Sequence, residues 1–353
     1  MRILILNWKD TAHPLAGGAE VFTEEVAQAL VTRGHEVTLF VASVDGRADR
    51  EKTGGVDVVR RGGRLGVYRE ARHFWKEQPA GRFDVVVDEI NTRPFMTPRW
   101  IRGTPIVALI HQLAREIWFY ETPFPVSVLG RYVLEPWWLR AYRDTPSLTV
   151  SESSARSLIE HHGWRNVTVV PEGWSPHPVP SVPKEAEPTV VFLGRLVAMK
   201  RPEDALQAFR ILSGRFPAAR MWLIGDGPLR ERLRSGAPAG VSFLGHVDRD
   251  ELRERLARAH VLVATSIREG WGLNVSEAAA CGTPTIGYAV PGLVDSVSAS
   301  GGALVEPSPE ALGKALVGYL DGELILEPKI STVDWPEVAA HIERRLFEVA
   351  RAR

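Results

Sequence analysis

The sequence predicts an α/β protein with two Rossmann-like domains that follow one another along the chain. Short apolar segments, typical of buried parallel strands, alternate with amphipathic helical segments throughout the 353 residues. A segment with five prolines in fourteen residues, 175–188, interrupts this alternation and can form neither a helix nor a central strand. We therefore predict an N-terminal domain over 1–174, a linker over 175–188, a second domain over 189–334 and a final helix over 335–353. Two such domains are expected to face each other across a ligand-binding cleft.

The N-terminal half opens with a strand, a helix and a second strand. RILILN is the first strand, AEVFTEEVAQALVTR is the helix and EVTLFVA is the second strand, with Gly34 as the helix C-cap. The loop before the helix lacks the GxGxxG pattern of dinucleotide-binding domains, but Gly17 and Gly18 would let a phosphate approach the backbone. Further strands are predicted in VDVVRR, DVVVDE, PIVALIH, SLTVSE and VTVVPEG. A helix in SESSARSLIEHHGW begins at a serine cap.

The second half repeats the alternation. Strands are predicted in TVVFLGRL, ARMWLIGDG, VSFLGHV, VLVATS, TPTIGY and ALVEP. Helices are predicted to begin near Pro202, Pro228 and Asp248, and two more lie in PEALGKALVGYL and WPEVAAHIERRLFEVARAR. Because Asp248 and Asp250 stand at a helix start, we interpret this DxD pair as helix capping rather than as metal ligands.

The segment REGWGLNVSEAAACGTP, residues 268–284, places a tight glycine loop and a helix directly after a predicted strand. The first amide groups of such a helix, with the positive end of its dipole, form an anion site. Glu269 precedes the helix and Glu277 lies on its first or second turn. Since carboxylates repel phosphate, we expect Glu269 to accept hydrogen bonds from a sugar and Glu277 from a ribose. Phosphate between two hydroxylated rings describes a nucleotide sugar. The alternative is structural: turn glycines, and a glutamate that only stabilises the helix dipole.

A basic loop, GRLVAMKRP, follows the first strand of the second domain. Arg195 and Lys200 lie at the carboxyl end of that strand, where two cations can neutralise a diphosphate. The alternative is an ordinary solvated basic loop.

These motifs resemble those of the retaining glycosyltransferases of family 4, which have the GT-B fold. EGWGLNVSE is similar to the family's Glu-x7-Glu motif, GRLVAMKRP to its basic loop and RGHEVTLF to its second strand. The chain departs from the family at Trp271, where phenylalanine is commoner, and in PEG at 171–173, where PNG is commoner. In the family, the glycine-rich first loop meets the donor diphosphate, and the backbone at GHV (245–247) contacts the nucleotide base. The donor-binding positions implied are Gly17, Gly18, Arg195, Lys200, Val247, Glu269, Gly270, Trp271, Gly272, Leu273, Asn274 and Glu277.

The resemblance also implies a retaining mechanism in which the acceptor attacks from the face of the leaving group. The catalytic positions are His111, Arg195, Lys200 and Glu269. His111 and Glu269 would position the donor sugar, while the two cations and the helix amides at 272–275 would stabilise the charge on the departing diphosphate. No metal site and no cofactor are therefore expected.

The acceptor is expected in the N-terminal domain, because the donor motifs occupy few of the loops at the strand ends of that domain. Glu89 and Asn91 follow a predicted strand and would project into the cleft, and Trp118 comes soon after His111. Residues 117–142 hold eight aromatic residues interleaved with arginines, which suits a sugar face, a lipid-linked acceptor or peripheral membrane contact. Core packing is the alternative.

Composition limits the remaining functions. The acidic and basic residues number 43 each, which argues against a nucleic-acid partner. The single cysteine, Cys281, cannot form an intrachain disulfide and is expected to be a buried packing residue. No apolar run reaches the roughly 20 residues of a membrane helix, and the opening segment is too short for a signal peptide, so we expect a cytoplasmic protein.

The sequence thus predicts an enzyme that transfers a sugar from a nucleotide-diphosphate sugar to an acceptor hydroxyl. We favour UDP over GDP in the donor, and the acceptor is a glycan, a small molecule or a lipid-linked group. The alternatives are a nucleotide-sugar epimerase or a phosphorylase on the same fold, or a non-catalytic protein that binds a nucleotide sugar.

Overall fold

The computed structural model describes residues 1–175, 178, 180–330 and 333–352. Three positions of the predicted linker, 176, 177 and 179, lie outside these ranges, as do 331, 332 and 353. The chain divides into two compact units. Unit 1 comprises Met1–Arg115, Val128–Ser175 and Val333–Arg353; unit 2 comprises Glu116–Ser127 and Pro176–Thr332.

Unit 1 is built on an eight-stranded sheet. Its strands are β1 (Arg2–Leu6), β2 (Glu36–Val41), β3 (Arg50–Thr53), β4 (Val56–Arg60), β5 (Val85–Glu89), β6 (Ile106–Leu109), β7 (Ser147–Thr149) and β8 (Val167–Val169). Their order is β3-β4-β2-β1-β5-β6-β7-β8, and every pair is parallel except β3–β4. The chain reverses its direction of progress between β1 and β5. At such a switch point a crevice opens beyond the carboxyl ends of the strands.

Unit 2 has a six-stranded, fully parallel sheet. Its strands are β9 (Thr189–Leu193), β10 (Arg220–Ile224), β11 (Val241–Gly245), β12 (Val261–Ala264), β13 (Thr285–Tyr288) and β14 (Ala303–Val305). The order is β11-β10-β9-β12-β13-β14, with its switch point between β9 and β12. Two parallel α/β units confirm the predicted pair of Rossmann-like domains.

The helices connect these strands. In chain order they are α1 (Gly18–Thr32), α2 (Val67–Glu77), α3 (Trp118–Glu121), α4 (Val126–Leu129), α5 (Glu135–Arg140), α6 (Glu152–His162), α7 (Pro202–Arg215), α8 (Arg230–Ser235), α9 (Arg249–Arg258), α10 (Leu273–Ala280), α11 (Leu293–Ala299), α12 (Pro309–Leu320) and α13 (Trp335–Arg351). The sequence analysis did not anticipate β3, α2, α11 or the short helices α3–α5. Across the described ranges, no helix combines the length and the apolar character needed to cross a bilayer.

Local sequence signals explain where several helices begin and end. The Ser151 hydroxyl accepts a hydrogen bond from the amide of Ser154, 3.3 Å away, at the start of α6. Asp248 caps α9 by accepting from the amides of Asp250 and Glu251, which confirms helix capping for the first residue of the DxD pair. Gly34, with φ of +89°, follows the last turn of α1.

The final helix, α13, belongs to unit 1 and packs against α1. Its Glu343 carboxylate accepts from His35 at 2.6 Å and pairs with Arg33 at 2.5 Å. The Trp335 ring lies 5.7 Å from that of Phe22. Gly173, in the PEG segment, has no room for a side chain, because a Cβ there would lie 2.5 Å from the Trp335 ring. In unit 2, Cys281 is buried in the core, as predicted.

Candidate active site

Two loops meet at the switch point of unit 2, one after β9 and the other after β12. The hydroxyl of Thr265 donates to the carbonyl oxygens of Lys200 and Arg201, at 2.8 and 3.0 Å. The amide of Ile267 donates to the carbonyl of Met199 at 2.9 Å. These bonds fix the basic loop against the loop that carries Glu269.

Lys200 and Glu269 form the central ion pair of this site. The Lys200 ammonium contacts the Glu269 carboxylate directly, and the hydroxyl of Ser266 donates to the same carboxylate at 2.5 Å. The two side chains are only 19% and 11% exposed, so water screens their attraction weakly. The structure therefore joins two of the residues that the sequence singled out independently.

Gly292 sets the position of the Glu269 backbone. A Cβ at Gly292 would lie 2.3 Å from the Glu269 carbonyl oxygen, and its φ is +85°, so the site requires glycine on both grounds. The amide of Glu269 donates to the carbonyl of Pro291 at 3.0 Å. The loop 289–292 thus contacts the backbone of Glu269 and fixes its position.

The start of α10 is tied to the end of β9. Gly272 is the N-cap residue, with φ of +102°, and the side-chain amide of Asn274 donates to the carbonyl of Leu193 at 2.9 Å. The indole of Trp271 donates to the hydroxyl of Ser276 at 2.9 Å. The first-turn amides of α10, which a helix cannot satisfy internally, therefore lie at the carboxyl end of the sheet.

Three other predicted donor residues lie near the surface of unit 2. Arg195 is exposed just after β9, Val247 is half-buried after β11, and Glu277 is exposed on the second turn of α10. Desolvation by neighbouring protein atoms raises the pKa of the Glu277 carboxyl to about 7. Part of its side chain remains exposed to water. In the described part of the chain, none of the three bonds to the Lys200–Glu269 pair.

Trp118 lies in α3, which groups with unit 2. We expected it in the N-terminal domain with Glu89 and Asn91, and that grouping was wrong. Side chains of this segment instead contact the donor loops: Glu121 accepts from the amide of Met199 at 3.3 Å, and Glu116 lies 3.4 Å from the guanidinium of Arg268. Contacts with residues distant in the sequence place this segment in unit 2.

Unit 1 carries a second polar site at its own switch point, formed by Glu20, Glu89, His111 and Glu172, which we call the acidic cluster. Glu20 lies in the first turn of α1. Its carboxylate accepts from the Gly17 amide at 2.7 Å and pairs with Lys9 at 3.1 Å. The Gly17 amide, predicted to meet a phosphate, is therefore occupied here. Burial raises the pKa of Glu20, against the opposing effect of Lys9.

Glu89 and His111 face each other inside this cluster. Glu89 accepts from the Thr23 hydroxyl at 2.6 Å and lies 3.4 Å from Nε2 of His111, whose ring packs edge-on against Phe22. Glu89 is 1% exposed and so lies buried at the end of β5. Burial opposes a charge on His111, but Glu89, together with the charges of Glu172 and Glu20, outweighs it and raises the pKa of the imidazole.

Asn91 joins the same group of residues. Its side-chain amide donates to the Asn7 side chain at 2.9 Å and to Glu20 at 3.3 Å. Of the acceptor residues predicted from sequence, Glu89 and Asn91 thus lie together with His111.

Glu172 was noticed in the sequence only as a departure from PNG. It is 7% exposed, and burial raises the pKa of its carboxyl to about 7, while His111 lowers it. Sequence reasoning also missed Lys9, Glu20 and Ser266. Glu20 stands three residues after Gly17, a spacing typical of helix capping, which hides its part in a site.

Comparison with known families matches both halves of the chain. Residues 16–176 match the family described as Glycosyltransferase Family 4, and residues 177–330 match the family described as Glycosyl transferases group 1.

Curated relatives match over shorter stretches. A GDP-mannose-dependent alpha-(1-6)-phosphatidylinositol dimannoside mannosyltransferase of Mycobacterium tuberculosis is 34% identical over 136 residues, 37% of this chain and 36% of the relative. A 2-deoxystreptamine glucosyltransferase of Streptomyces kanamyceticus is 30% identical over 221 residues, 55% of each chain. The chain thus spans about a third of the first relative and about half of the second.

Solved structures share the fold of this protein over nearly its whole chain. WaaG, a glycosyltransferase involved in lipopolysaccharide biosynthesis, superposes with a TM-score of 0.72 at 18% identity, covering 99% of this chain and 98% of its own. The architecture is the GT-B fold, as predicted.

Proposed function

Both halves of the chain match glycosyltransferase families, and we propose that it transfers a sugar from a UDP-sugar to an acceptor hydroxyl, with retention of configuration. The observation that carries the proposal is the Lys200–Glu269 pair, held at the β9–β12 switch point beside the start of α10. Switch points of open parallel sheets are where such folds bind ligands.

The donor diphosphate binds where cations and helix amides are close together. The first-turn amides of α10 supply hydrogen-bond donors, Lys200 supplies a nearby charge, and exposed Arg195 is available to form a fork on the phosphates. Lys200 has three N–H donors, so it can hold Glu269 and a phosphate oxygen at once. Glu269 then faces the sugar hydroxyls, and Glu277 the ribose.

The same groups favour departure of the diphosphate. As the glycosidic bond breaks, negative charge grows on the leaving phosphate, and fixed positive groups stabilise it without having to reorganise. Lys200 is already fixed by Glu269 and by the loop bonds of Thr265. We propose that this arrangement works without a metal ion, and that His111, oriented by Glu89, has a catalytic role.

A guanine nucleotide is the alternative to the uridine nucleotide that we propose. The mannosyltransferase relative is named as GDP-mannose-dependent, whereas we propose a uridine nucleotide. The acceptor residues we propose are Glu89 and Asn91 of unit 1, with Trp118 as a further contact.

We also propose that residues 117–142 contact a membrane surface. Several large apolar side chains in this segment are exposed, among them Phe124 at 81%, Tyr132 at 63% and Trp137 at 51%. Arg140 is exposed in the same segment, and basic residues next to apolar ones suit an anionic lipid surface. Co-sedimentation with vesicles containing anionic lipid should exceed that with neutral vesicles, and Phe124→Ser should reduce it. Equal recovery with both vesicle types would contradict this proposal.

The donor proposal is tested by hydrolysis and binding together. Purified protein is titrated with UDP and GDP, and slow hydrolysis of UDP-glucose is followed without any acceptor. Lys200→Met should abolish hydrolysis and weaken UDP binding, whereas Arg232→Met, at an exposed cation of the same unit, should change neither. Tighter binding of GDP than of UDP would show that the donor is a GDP-sugar, and absence of UDP-glucose hydrolysis would contradict the proposed enzyme.

A further inference from the structure

The acidic cluster of unit 1 contains one carboxylate more than its cations neutralise. Lys9 pairs with Glu20 at 3.1 Å and His111 faces Glu89 at 3.4 Å. Glu172 shares the charge of His111 but has no ion pair of its own within the described ranges. Glu172 is therefore the carboxyl group of the cluster that lacks an ion pair of its own among the described residues.

Several polar atoms of this cluster and of neighbouring Asn7 are buried without a hydrogen-bond partner among the described residues. They are Oε2 of Glu172, Oε1 of Glu89, Nε2 of His111 and Nδ2 of Asn7. Glu172, Glu89, His111 and Asn7 are each less than 8% exposed, and unsatisfied buried groups of this kind are costly. Two of these four atoms are carboxylate oxygens, so a ligand that donates several hydrogen bonds would satisfy both of them.

We propose that the acidic cluster binds an ammonium group of the acceptor, and that Glu172 is the carboxylate that recognises it. The proposal rests on the proposed glycosyl transfer, since it names the chemical class of the acceptor. That class is a hydroxylated ring with a primary amine, an aminocyclitol or an amino sugar. The amine serves in recognition, and a hydroxyl of the same ring receives the sugar.

The chemistry of the cluster favours ammonium over other ligands. An ammonium group carries one positive charge and three N–H donors with no acceptor, which matches the unsatisfied carboxylate oxygens of Glu172 and Glu89. A phosphate would meet three carboxylates and be repelled. A neutral hydroxyl could satisfy one oxygen but would leave the charge of Glu172 buried without compensation, which favours its protonated form.

The pKa of Glu172 is consistent with this ligand. Burial raises it to about 7, so the carboxyl exchanges its proton near neutral pH. The charged group that acts on it directly is His111 after β6, which in turn faces Glu89 at the end of β5 and interacts with Glu20 of α1, the partner of Lys9. An arriving ammonium would favour the ionised carboxylate.

The test compares two ring probes that differ in one group. Scyllo-inositol and scyllo-inosamine have the same all-equatorial ring, but the second carries an amine in place of one hydroxyl. Binding of each to the full chain is measured by titration calorimetry at pH 7.5 with UDP saturating. The wild type should bind the amine about tenfold more tightly, as expected for a hydrogen bond between charged groups.

Variants at Glu172 isolate the carboxylate. Glu172→Gln keeps the size, and Glu172→Asn gives the residue commoner in the resembled family; both should remove the preference for the amine and leave affinity for the inositol unchanged. Glu160→Gln, at an exposed carboxylate of α6, should keep the wild-type preference. UDP affinity, measured in each variant, reports whether the protein is folded.

Three outcomes would overturn the inference. They are equal affinities of the wild type for both probes, a preference that persists in Glu172→Gln, and no binding of either probe by protein that hydrolyses UDP-glucose. Hydrolysis without acceptor depends on the donor site alone. Its absence would count against the proposed enzyme, whereas failure of the amine preference alone counts only against the role of Glu172.

Discussion

The ammonium group of Lys200 and the carboxylate of Glu269 form an ion pair although 69 residues separate them in sequence. The pair links the loop after β9 to the loop after β12, and Ser266 donates to the same carboxylate. Both side chains are largely buried. Two groups that we assign to adjacent parts of the donor, its phosphates and its sugar, are therefore fixed to each other before the donor arrives.

Removal of one partner of this pair should destabilise unit 2. Lys200→Met leaves the Glu269 carboxylate without its cation, and a loss on the order of 1–3 kcal/mol in the free energy of unfolding is expected for a mostly buried pair. Urea unfolding measures it. Arg232→Met breaks an exposed pair with Glu203, at 3.8 Å, and should change stability by less than about 0.5 kcal/mol. Equal losses in the two variants would show that the Lys200–Glu269 pair contributes no more to stability than an exposed ion pair does.

A nucleoside diphosphate should stabilise the protein without magnesium. We expect UDP at 100 times its dissociation constant to add about 2.7 kcal/mol of stability, because it binds only the folded form. Thermal unfolding with and without EDTA measures this. A shift that needs a divalent ion and disappears with EDTA would contradict the role given to Arg195 and Lys200.

The two glutamates of the donor motif should have different kinetic roles. Glu277→Ala is expected to weaken UDP binding, because a ribose contact acts equally in the ground and transition states. Glu269→Ala is expected mainly to lower kcat, because a sugar contact positions the reacting carbon. Calorimetry with free UDP separates the two. Equal losses of UDP affinity in both variants would show that the assignment is wrong.

Stability should depend on pH through Glu172. The folded protein raises the pKa of this carboxyl from 4.5 to about 7, so the folded state holds the proton more tightly and stability falls as pH rises through that window. The raised pKa of His111 acts in the same direction above pH 6.5. The change in the pKa of Glu172 corresponds to about 3 kcal/mol at most.

Glu172→Gln isolates this contribution. Thermal unfolding from pH 4.5 to 8 should show a smaller loss of stability in the variant than in the wild type. Glu160→Gln should follow the wild-type curve, since the carboxylate it removes is exposed. Superimposable curves for wild type and Glu172→Gln would show that Glu172 does not titrate in this range.

Substitutions on the acceptor side should separate transfer from donor binding. Glu89→Gln, Asn91→Ala and Trp118→Ala are expected to lower glycosyl transfer while leaving UDP affinity intact. Thr23→Val removes the hydroxyl that donates to Glu89 and serves as the structural control. Donor hydrolysis and acceptor transfer are measured in the same variants. If both fall in parallel with melting temperature, these residues only support the fold.

The sequence by itself determined most of the strands of both sheets and several of the helix caps. Buried parallel strands are continuous apolar runs, and caps such as Ser151 and Asp248 act on amides two or three residues away, so both can be recognised locally. The strand–loop–helix order around Glu269 depends on adjacent residues in the same way. The two Rossmann-like sheets followed from these local patterns.

Only the tertiary structure decided which charged groups meet. The Lys200–Glu269 pair and the grouping of Glu20 with Glu89, His111 and Glu172 join segments brought together by the strand order of each sheet. Sequence periodicity says which face of an element is buried, but not which neighbour covers it. Burial also sets the protonation of Glu172, because desolvation depends on atoms from every surrounding element and not on the residue's own neighbours in the chain.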